Sequence, residues 1–531
     1  TGSGQGWEEV PYWLKGYGDL GYVLKDKAII AQAGRWLDDA LASQQEDGYF
    51  GPPENRKHKD LWPNMIMLFA FQSLYEATGD ARVIPFLRKY FQFEMSLDDD
   101  ELLPGSWQKL RGGDNLESVY WLYNRTGDAF LLELGRRLFR RTSDWTSPIL
   151  SPDRDRHWEP SSFYHGVNIA MGWRQPAVYY QQAKDPGLLQ SVESNYSLVR
   201  EAYGQQPGGL FGADENIRPG ATDPRQAAET CTMVEFMYSH ESLMKITGQA
   251  RYADRCEDIA FNSLPAALTP DLKGLHYLTA PNLISCDSSA EHDFESTGTL
   301  VSFDPRGYRC CQHNFAFCWP YFAEHLWCAT LDNGLAAVLY APSRVAARVG
   351  EGEGAEVRID EETSYPFGDE IALALTMNKS ARFPLYLRIP NWCSEARLFL
   401  NGQELKLEAR PSAYLRIERE WIDGDRIQLE FPARLKIVRW AGVGQAVSVK
   451  RGALWYSLRI GEEWKRYGGT DDWPALEILP TTPWNYALVV DPSRPQESIV
   501  LDREKSVEGQ PFTPEAAPIV LRAKAVRVPQ W

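Results

Sequence analysis

The sequence predicts a multidomain α-then-β protein, with an (α/α)6 toroid over residues 1–333, a β-sandwich over 334–440 and a second sandwich-like domain over 441–531. The first supporting observation is a helix–turn–helix phrase that recurs before residue 254. The second is a change of hydrophobic period, because stripes at helical spacing give way from Leu335 onward to short runs of alternating apolar and polar residues. Helices therefore come first and strands follow.

Five turns separate the helices of the first part. They lie at residues 24–30, 78–84, 126–132, 183–189 and 247–253. Gly79, Gly127 and Gly248 stand where the C-terminus of a helix needs a left-handed residue. Because repeats of this length are helix pairs that cannot bury their apolar faces alone, we expect the pairs to stack side by side.

A sixth inner helix is predicted over residues 314–331. Its outer partner does not follow it, since the sequence from Gly334 onward alternates like a strand. We therefore expect the partner helix upstream of Thr1 and the chain to be a trimmed form of a longer protein. Six hairpins closed in a ring would make the predicted toroid.

The second part reads as β-structure throughout. Asn401-Gly402 and Asp423-Gly424 supply the residues that tight hairpin turns need. Beyond residue 441 the clearest strands are GALWYSLRI and NYALVV. No low-complexity linker separates these runs from one another, so we expect the domains to pack together.

Composition excludes some partners and favours one ligand class. The 56 Lys and Arg against 72 Asp and Glu give a formal net charge of −16, which would repel nucleic acid. No apolar run approaches the ~18 residues that a membrane span needs, so we expect no membrane insertion. Aromatic residues make up 12% of the chain and could stack on sugars, although aromatic packing in a helical core explains them equally well. The sequence leaves a homodimer open.

The pattern that carries chemistry is Glu229-Thr230-Cys231 together with Cys310-Cys311. Each piece stands directly before a helical stretch, at a junction where side chains two residues apart can converge. One carboxylate and three thiolates form a sensible tetrahedral set for Zn²⁺. A purely structural zinc, three unrelated buried cysteines and a vicinal disulfide at residues 310–311 remain alternatives. Zinc-bound thiolates favour a reducing cytoplasm, with a metal-protected site in a periplasm as the alternative.

The segments AAETC, at residues 227–231, and RCCQHN, at residues 309–314, resemble the signature of bacterial β-L-arabinofuranosidases of glycoside hydrolase family 127 and their unassigned relatives. The order of helical and β parts is similar over nearly the whole chain. The resemblance implies zinc on Glu229, Cys231, Cys310 and Cys311, with Cys310 as the nucleophile. It further implies a retaining exo-glycosidase that releases a terminal sugar, such as β-L-arabinofuranose, from plant-type glycans.

The resemblance also implies an acid/base and a sugar contact. It places the general acid at Glu215, for which the adjacent Asp214 is the rival, and it gives His165 a contact with the sugar. Further pocket candidates are polar or aromatic residues on inner helices or their loops, namely Asp60, Trp62, Asn64, Trp107 and Asp114. Asp114 could instead cap a helix.

One departure from the resembled pattern bears on the sugar. His313 follows the cysteine pair where the arabinofuranosidases have a plainer residue. Arg111, Arg218 and Arg309 add positive charge near the predicted pocket, and arginines can hold a carboxylate through two parallel hydrogen bonds. An acidic monosaccharide is therefore an alternative to the neutral sugar.

Two other classes of function remain open. A non-catalytic carbohydrate-binding protein with a structural zinc would show affinity for sugars without turnover. A polysaccharide lyase or an epimerase on the same (α/α) barrel would use His165 and a tyrosine to abstract a proton, and a lyase would release an ultraviolet-absorbing product.

Overall fold

A computed structural model describes residues 7–151, 161–218, 226–295, 301–302, 310–406, 408, 410–444, 446–503 and 505–530. The chain is helical in its N-terminal part and rich in strands in its C-terminal part, as the sequence predicts. Among the described residues, no helix combines the length and the apolar character that crossing a membrane would take.

The described helices begin and end as follows: α1 (Glu9–Leu24), α2 (Lys27–Ala42), α3 (Pro53–Lys57), α4 (Trp62–Thr78), α5 (Val83–Ser96), α6 (Ser106–Leu110), α7 (Gly112–Thr126), α8 (Ala129–Arg141), α9 (Gly166–Gly172), α10 (Gln175–Ala183), α11 (Pro186–Tyr203), α12 (Thr230–Thr247), α13 (Ala250–Asp258), α14 (Leu264–Ala266), α15 (Cys310–Asn314) and α16 (Cys318–Glu324).

The five predicted turns are present, and each contains one residue in the left-handed region. Gly79, Gly127 and Gly248 end α4, α7 and α12 with φ of 69°, 69° and 65°. Lys25 and Lys184 do the same after α1 and α10, with φ of 56° and 55°. The turn geometry is thus shared even where glycine is absent.

Helices of the N-terminal part contact one another in a closed circuit. In order, α1 packs on α4, α4 on α7, α7 on α9 and α10, these two on α12, α12 on α16, and α16 on α1. Further helices pack on members of this circuit, α2 on α1 and α8 on α7. Gly16 allows α1 to approach the 3-10 turn at Phe315–Phe317 closely, because a Cβ there would lie 2.2 Å from the carbonyl carbon of Ala316.

The predicted sixth inner helix is wrong in its bounds. It starts earlier, with α15, continues through a 3-10 turn at Phe315–Phe317, and ends with α16 at Glu324. Residues 327–329 instead form a strand, since a tight turn with Asn333 at φ 58° folds them back onto residues 335–337. Strand pairing therefore replaces the last predicted turns of helix.

The described strands are β1 (Ala228–Glu229), β2 (Leu275–His276), β3 (Leu278–Thr279), β4 (Val301–Ser302), β5 (Trp327–Ala329), β6 (Leu335–Ala337), β7 (Ser343–Val349), β8 (Ala355–Thr363), β9 (Glu370–Met377), β10 (Ala381–Ile389), β11 (Arg397–Leu400), β12 (Gln403–Glu404), β13 (Ala413–Trp421), β14 (Arg426–Glu430), β15 (Leu435–Arg439), β16 (Val447–Arg451), β17 (Leu454–Tyr456), β18 (Glu462–Gly469), β19 (Pro474–Pro480), β20 (Tyr486–Leu488), β21 (Ile499–Arg503), β22 (Ile519–Ala523) and β23 (Ala525–Arg527).

Two larger sheets follow the helices. One has the strand order β12-β11-β14-β9-β8-β7 and the other the order β13-β10-β6-β5. Burial alternates along β8 and β9, so one face of the six-stranded sheet is buried and the other is wet. The inward residues, such as Ile359, Leu373 and Leu385, belong to the same apolar core as α12 and α16.

A third sheet joins distant parts of the chain, in the order β18-β19-β4-β2. Its strands β2 and β4 come from the segment that the sequence assigns to the helical part. Cys286, from the same segment, exchanges two backbone hydrogen bonds with Ile478, at 2.8 and 2.9 Å. Strands β18 and β19, from the C-terminal part of the chain, therefore form one sheet with β2 and β4, which come from the segment between α14 and α15.

Candidate active site

Two helix starts bring the predicted cluster together. Glu229 ends β1 and directly precedes α12, while Cys231 is the second residue of that helix. Pairing of β1 with β3 keeps Glu229 extended, and the Thr230 hydroxyl donates to the carbonyl of His276 at 2.6 Å. Cys310 and Cys311 open α15. Both motifs are thus strand- or loop-to-helix junctions, which lets side chains two residues apart converge.

The four predicted ligands form one cluster. The thiols of Cys310 and Cys311 lie 3.1 and 3.3 Å from Oε1 of Glu229, and the four ligand atoms are all within 4.8 Å of one another. Both cysteines of the pair are free thiols. Glu229, Cys231 and Cys311 are buried, whereas Cys310 is only half-buried. The cluster could therefore hold one metal ion, and Cys310 is the one member that is not fully buried.

The electrostatics of the cluster call for a cation. Burial raises the pKa of the Glu229 carboxyl and of the Cys231 thiol, since a charge in this interior loses its hydration. Hydrogen bonds from the neighbouring thiols of Cys231 and Cys311 hold the pKa of Cys310 well below its usual range. Oε2 of Glu229 has no hydrogen-bond donor among the described residues. An unpartnered buried oxygen beside three thiols fits a metal ligand.

Next to the cluster, His165 holds Glu215 in a fixed geometry. The backbone N–H of Val167 donates to Nδ1 of His165 at 3.2 Å, at the N-terminus of α9. In the neutral ring, Nε2 then carries the proton and donates to Oε2 of Glu215 at 3.1 Å. The same nitrogen lies 3.7 Å from Oε2 of Glu229. His165 thus stands between the acid/base candidate and the candidate metal-binding cluster.

The backbone of Glu215 is unusual. Its φ of 117° lies where residues with a side chain are rarely found, and its carbonyl accepts from Gly166 N–H at 2.7 Å. Such strain persists only when the surroundings over-determine the conformation, and it concentrates at functional sites.

Asp214, the rival of Glu215, has a different environment. It is fully buried and accepts from the Arg218 guanidinium at 2.9 Å, from the Gln226 side chain at 3.1 Å and from the backbone N–H of Glu295 at 2.8 Å. The Glu215 side chain keeps 23% of its surface exposed. Of the two carboxylates, Glu215 alone contacts His165 while remaining open to solvent.

Aromatic rings continue the wall beyond His165. Trp107 meets the His165 ring edge-on, with centroids 5.8 Å apart. The buried guanidinium of Arg111 lies 4.5 Å from the Trp107 ring and 4.7 Å from the Trp62 ring. Arg111 also donates to Asn168 at 2.8 Å. These contacts join Trp62 and Trp107 of the predicted pocket set to His165.

Other pocket candidates bond to the surrounding protein. Asp60 accepts from the Trp7 indole and Trp62 donates to Glu8, each at 2.5 Å. Asn64 donates to a backbone carbonyl at 2.8 Å. In the described part of the chain, none of these three side chains forms a hydrogen bond with the cluster.

The last predicted residues lie in three different settings. Asp114 is buried against the Arg174 guanidinium rather than capping a helix. His313 is half-buried, one helical turn after Cys310 on α15. Arg218 is engaged by Asp214 and by the carbonyl of Asp293 at 3.1 Å. Arg309 lies outside the described residues.

Two residues near the site escaped sequence reasoning. The Tyr277 hydroxyl lies 4.0 Å from the Cys310 sulfur, and burial raises the pKa of this phenol. Glu295 accepts from the Asn216 side chain at 2.7 Å and so braces the residue after Glu215. Both belong to the segment between β2 and β4, whose two-residue strands are too short for a periodic signal.

The family models that match this chain divide it at the boundary between its helical part and its strand-rich part. The family model of the β-L-arabinofuranosidase GH127 catalytic domain matches residues 5–324, and that of the GH127 middle domain matches residues 334–433. No curated protein matches the chain.

Several solved structures share the fold. One is a GH127 β-L-arabinofuranosidase from Geobacillus stearothermophilus T6, with 17% identity over 89% of this chain and 87% of that one and a TM-score of 0.65. Another, described as a glycoside hydrolase, has 17% identity, 89% coverage of both chains and a TM-score of 0.68. A third, a GH127 β-arabinofuranosidase, has 16% identity over 89% of this chain and 84% of that one, with a TM-score of 0.61.

Proposed function

The chain belongs to glycoside hydrolase family 127, and we propose that it is a retaining exo-β-L-arabinofuranosidase with zinc as its metal. In this proposal Cys310 is the nucleophile, Glu215 is the general acid and base, and a terminal sugar of a plant-type glycan is the substrate. The observation that carries the proposal is a cluster of one carboxylate and three thiols in which Cys310 alone is a partly exposed residue.

Zinc suits this donor set better than harder cations do. Thiolates are soft ligands that select zinc, whereas calcium and magnesium prefer oxygen donors. Glu229, Cys231, Cys310 and Cys311 would hold the ion. When bound, zinc keeps the thiols ionised at neutral pH.

The reaction takes two displacements. The Cys310 sulfur attacks the anomeric carbon while the bond from that carbon to the leaving oxygen breaks and Glu215 gives its proton to that oxygen. Glu215 then takes a proton from water, the water oxygen attacks the anomeric carbon, and the Cys310 thiolate departs. Two inversions at one carbon retain its configuration.

The neighbouring residues would orient this chemistry. His165, with its proton on Nε2, holds the Glu215 carboxylate, and Trp107 packs on the other side of the imidazole. Tyr277 borders the nucleophile and His313 follows it on the same helix. We assign these residues, with Trp62, to the sugar pocket, and we keep Asp60, Asn64 and Asp114 as supports of its wall.

The proposal includes a domain architecture of one helical toroid and two β-domains. The closed circuit of helix contacts supports an (α/α)6 toroid for residues 1–333, and the sheets of six and four strands support a β-sandwich for residues 334–440. The remaining strands would form the second sandwich-like domain, which reaches back to the helical part through β19 and β4.

The decisive experiment combines a probe with a metal assay. The protein is incubated with a cyclophellitol-type analogue of β-L-arabinofuranose, then examined by intact-mass spectrometry, peptide mapping and zinc determination. We expect one adduct on Cys310 and about one zinc per chain. Cys328→Ser, which alters another half-buried cysteine, is the matched control and should still label.

Other results would contradict the proposal. Labelling elsewhere, or unchanged labelling of Cys310→Ser, would remove Cys310 as nucleophile. Zinc and sugar binding with no turnover of any glycoside would indicate a binding protein. An ultraviolet-absorbing product from an acidic glycan would indicate a lyase, and hydrolysis of an acidic sugar alone would replace the arabinofuranose.

A further inference from the structure

A hairpin far along the chain from the catalytic residues exposes three aromatic rings. Trp464, Tyr467 and Trp473 lie within ten residues on and around β18 and β19, and 39%, 46% and 39% of their surfaces are exposed. Large aromatic side chains are mostly buried in folded proteins, and several exposed ones on a single hairpin point to a binding surface.

Hydrogen bonds within the hairpin hold its turn and one of the rings in the absence of a ligand. The Arg466 guanidinium donates to the carbonyls of Gly468 and Gly469, at 2.9 and 3.0 Å, and pairs with Asp471. The Trp464 indole donates to Glu462 at 2.9 Å, which fixes its ring. A ligand that binds a preorganised surface loses little affinity to ordering.

The hairpin is connected to the active site by continuous hydrogen bonding. β18 is one edge strand of the sheet β18-β19-β4-β2, and β2 is the other edge. Tyr277 directly follows β2 and approaches the Cys310 sulfur. Four strands at ~4.8 Å spacing put the two edges roughly 14 Å apart. A substrate that reached from the Cys310 edge of this sheet to the hairpin edge would therefore contain several linked sugars.

The chemistry of the surface favours a glycan. The rings alternate with charged residues, including Glu463, Lys465 and Arg466, instead of forming a continuous aliphatic patch. Aromatic faces stack on the C–H faces of sugar rings, while the polar neighbours can bond to hydroxyl groups. A protein partner would instead need a larger apolar centre.

We propose that Trp464, Tyr467 and Trp473 form a platform that binds the leaving-group side of an oligosaccharide substrate. The proposal rests on the proposed function for the identity of the sugar, but not for the location of the binding surface. It assigns a substrate-recognition role to the C-terminal region, beyond the two domains that the family models match.

The test compares a long substrate with a short one. The variant W464A/W473A is assayed with a β-L-arabinofuranosyl oligosaccharide and with 4-nitrophenyl β-L-arabinofuranoside. We expect its kcat/KM for the oligosaccharide to fall about tenfold further than that for the nitrophenyl substrate. Trp36→Ala, which removes a comparably exposed indole from α2, is the control and should show no such difference. Equal losses on both substrates would overturn the platform.

A binding measurement separates this proposal from the proposed function. Calorimetry with the same oligosaccharide, in a Cys310→Ser background, does not depend on turnover. A Kd about tenfold weaker in W464A/W473A than in Trp36→Ala supports the platform even if the wild-type protein hydrolyses nothing. Equal Kd values, or no binding at all, overturn the platform while leaving hydrolysis of the small substrate to decide the function. Circular dichroism of each variant checks that it is folded.

Discussion

Two buried clusters of acidic groups differ in how their charge is compensated. At the boundary between the helices and the sheets, Arg388 lies between Asp254 and Glu257, and its Nη1 is 2.5 Å from the Asp254 carboxylate. Ser412 and Tyr365 complete the set, with hydroxyl donors at 2.7 and 2.6 Å. Around Glu229 the described residues offer three thiols and no lysine or arginine within 4.0 Å.

This difference in charge compensation indicates which cluster has a structural role and which one could bind a metal ion. Removing charges from water costs several kcal/mol per ion, and the Arg388 cluster offsets that cost with a cation encoded in the chain. The Glu229 cluster has no such cation among the described residues, so its ionised form needs one from solution. A buried acidic cluster without an internal counter-charge is therefore the better candidate for a metal centre.

The largest expected effect comes from breaking the Glu229 cluster. Cys311→Ser should lose both bound zinc and activity, whereas Cys310→Ser should abolish turnover, on the order of 10⁵-fold in kcat. Zinc determination and kinetics on the purified proteins measure both. Wild-type rates in Cys310→Ser would show that Cys310 is not the nucleophile. Full zinc content in Cys311→Ser would show that Cys311 is not a zinc ligand.

The two carboxylates beside the Glu229 cluster should differ in their effect on catalysis. Glu215→Gln should lower kcat by roughly 10³-fold on a natural glycoside and by much less on a substrate with a good leaving group, because the latter needs no proton. Asp214→Asn, the adjacent control, loses a buried acceptor of three hydrogen bonds and should lower the melting temperature instead. Equal kinetic losses on both substrates would argue against Glu215 as the acid.

The Arg388 cluster should respond in stability rather than in chemistry. Arg388→Met leaves two buried carboxylates without their counter-charge, so we expect a loss of about 3–5 kcal/mol in the free energy of unfolding and unchanged zinc content in the folded protein. Arg348→Met breaks an exposed pair with Glu356 and should cost no more than about 1 kcal/mol. Denaturant titration distinguishes the two. Loss of zinc from folded Arg388→Met would mean that the clusters are coupled.

The smallest effect concerns the residue between the two carboxylates of the site. His165→Asn keeps a side chain that can cap α9 but shortens the donor to Glu215, so we expect about a tenfold lower kcat with full zinc content. His165→Ala, which removes the cap as well, should be less stable. If His165→Asn instead lost zinc, its 3.7 Å contact with Glu229 would be the important one.

The parts that the sequence predicts well are those with local signals. Helix period, the turns at Gly79, Gly127 and Gly248, and the two cysteine motifs all lie in short stretches, and the structure brings the four predicted ligand residues together in one cluster that could hold a metal ion. The family resemblance is likewise confirmed. The left-handed Lys25 and Lys184 show that a turn can form without its usual residue.

The parts that it predicts poorly depend on distant contacts. Tyr277 and Glu295 reach the site because two-residue strands pair across the fold, and so short a strand has no periodicity. The sixth helix ends early because residues 327–329 find a strand partner after a turn. Asp60 and Asn64 stand among pocket residues in the sequence, yet their nearest donors and acceptors come from other loops.

The close packing of Gly16 against Ala316 has a consequence for synthesis on the ribosome. Helix α1 is synthesised roughly 300 residues before the 3-10 turn that contains Ala316. At ~5–20 residues per second, this separation is a delay on the order of tens of seconds. During that time the apolar side of α1 has its neighbour α4 but not its final one. The circuit of helices can therefore close only after the segment around Ala316 has been synthesised, and until then α1 lacks one of its packing partners.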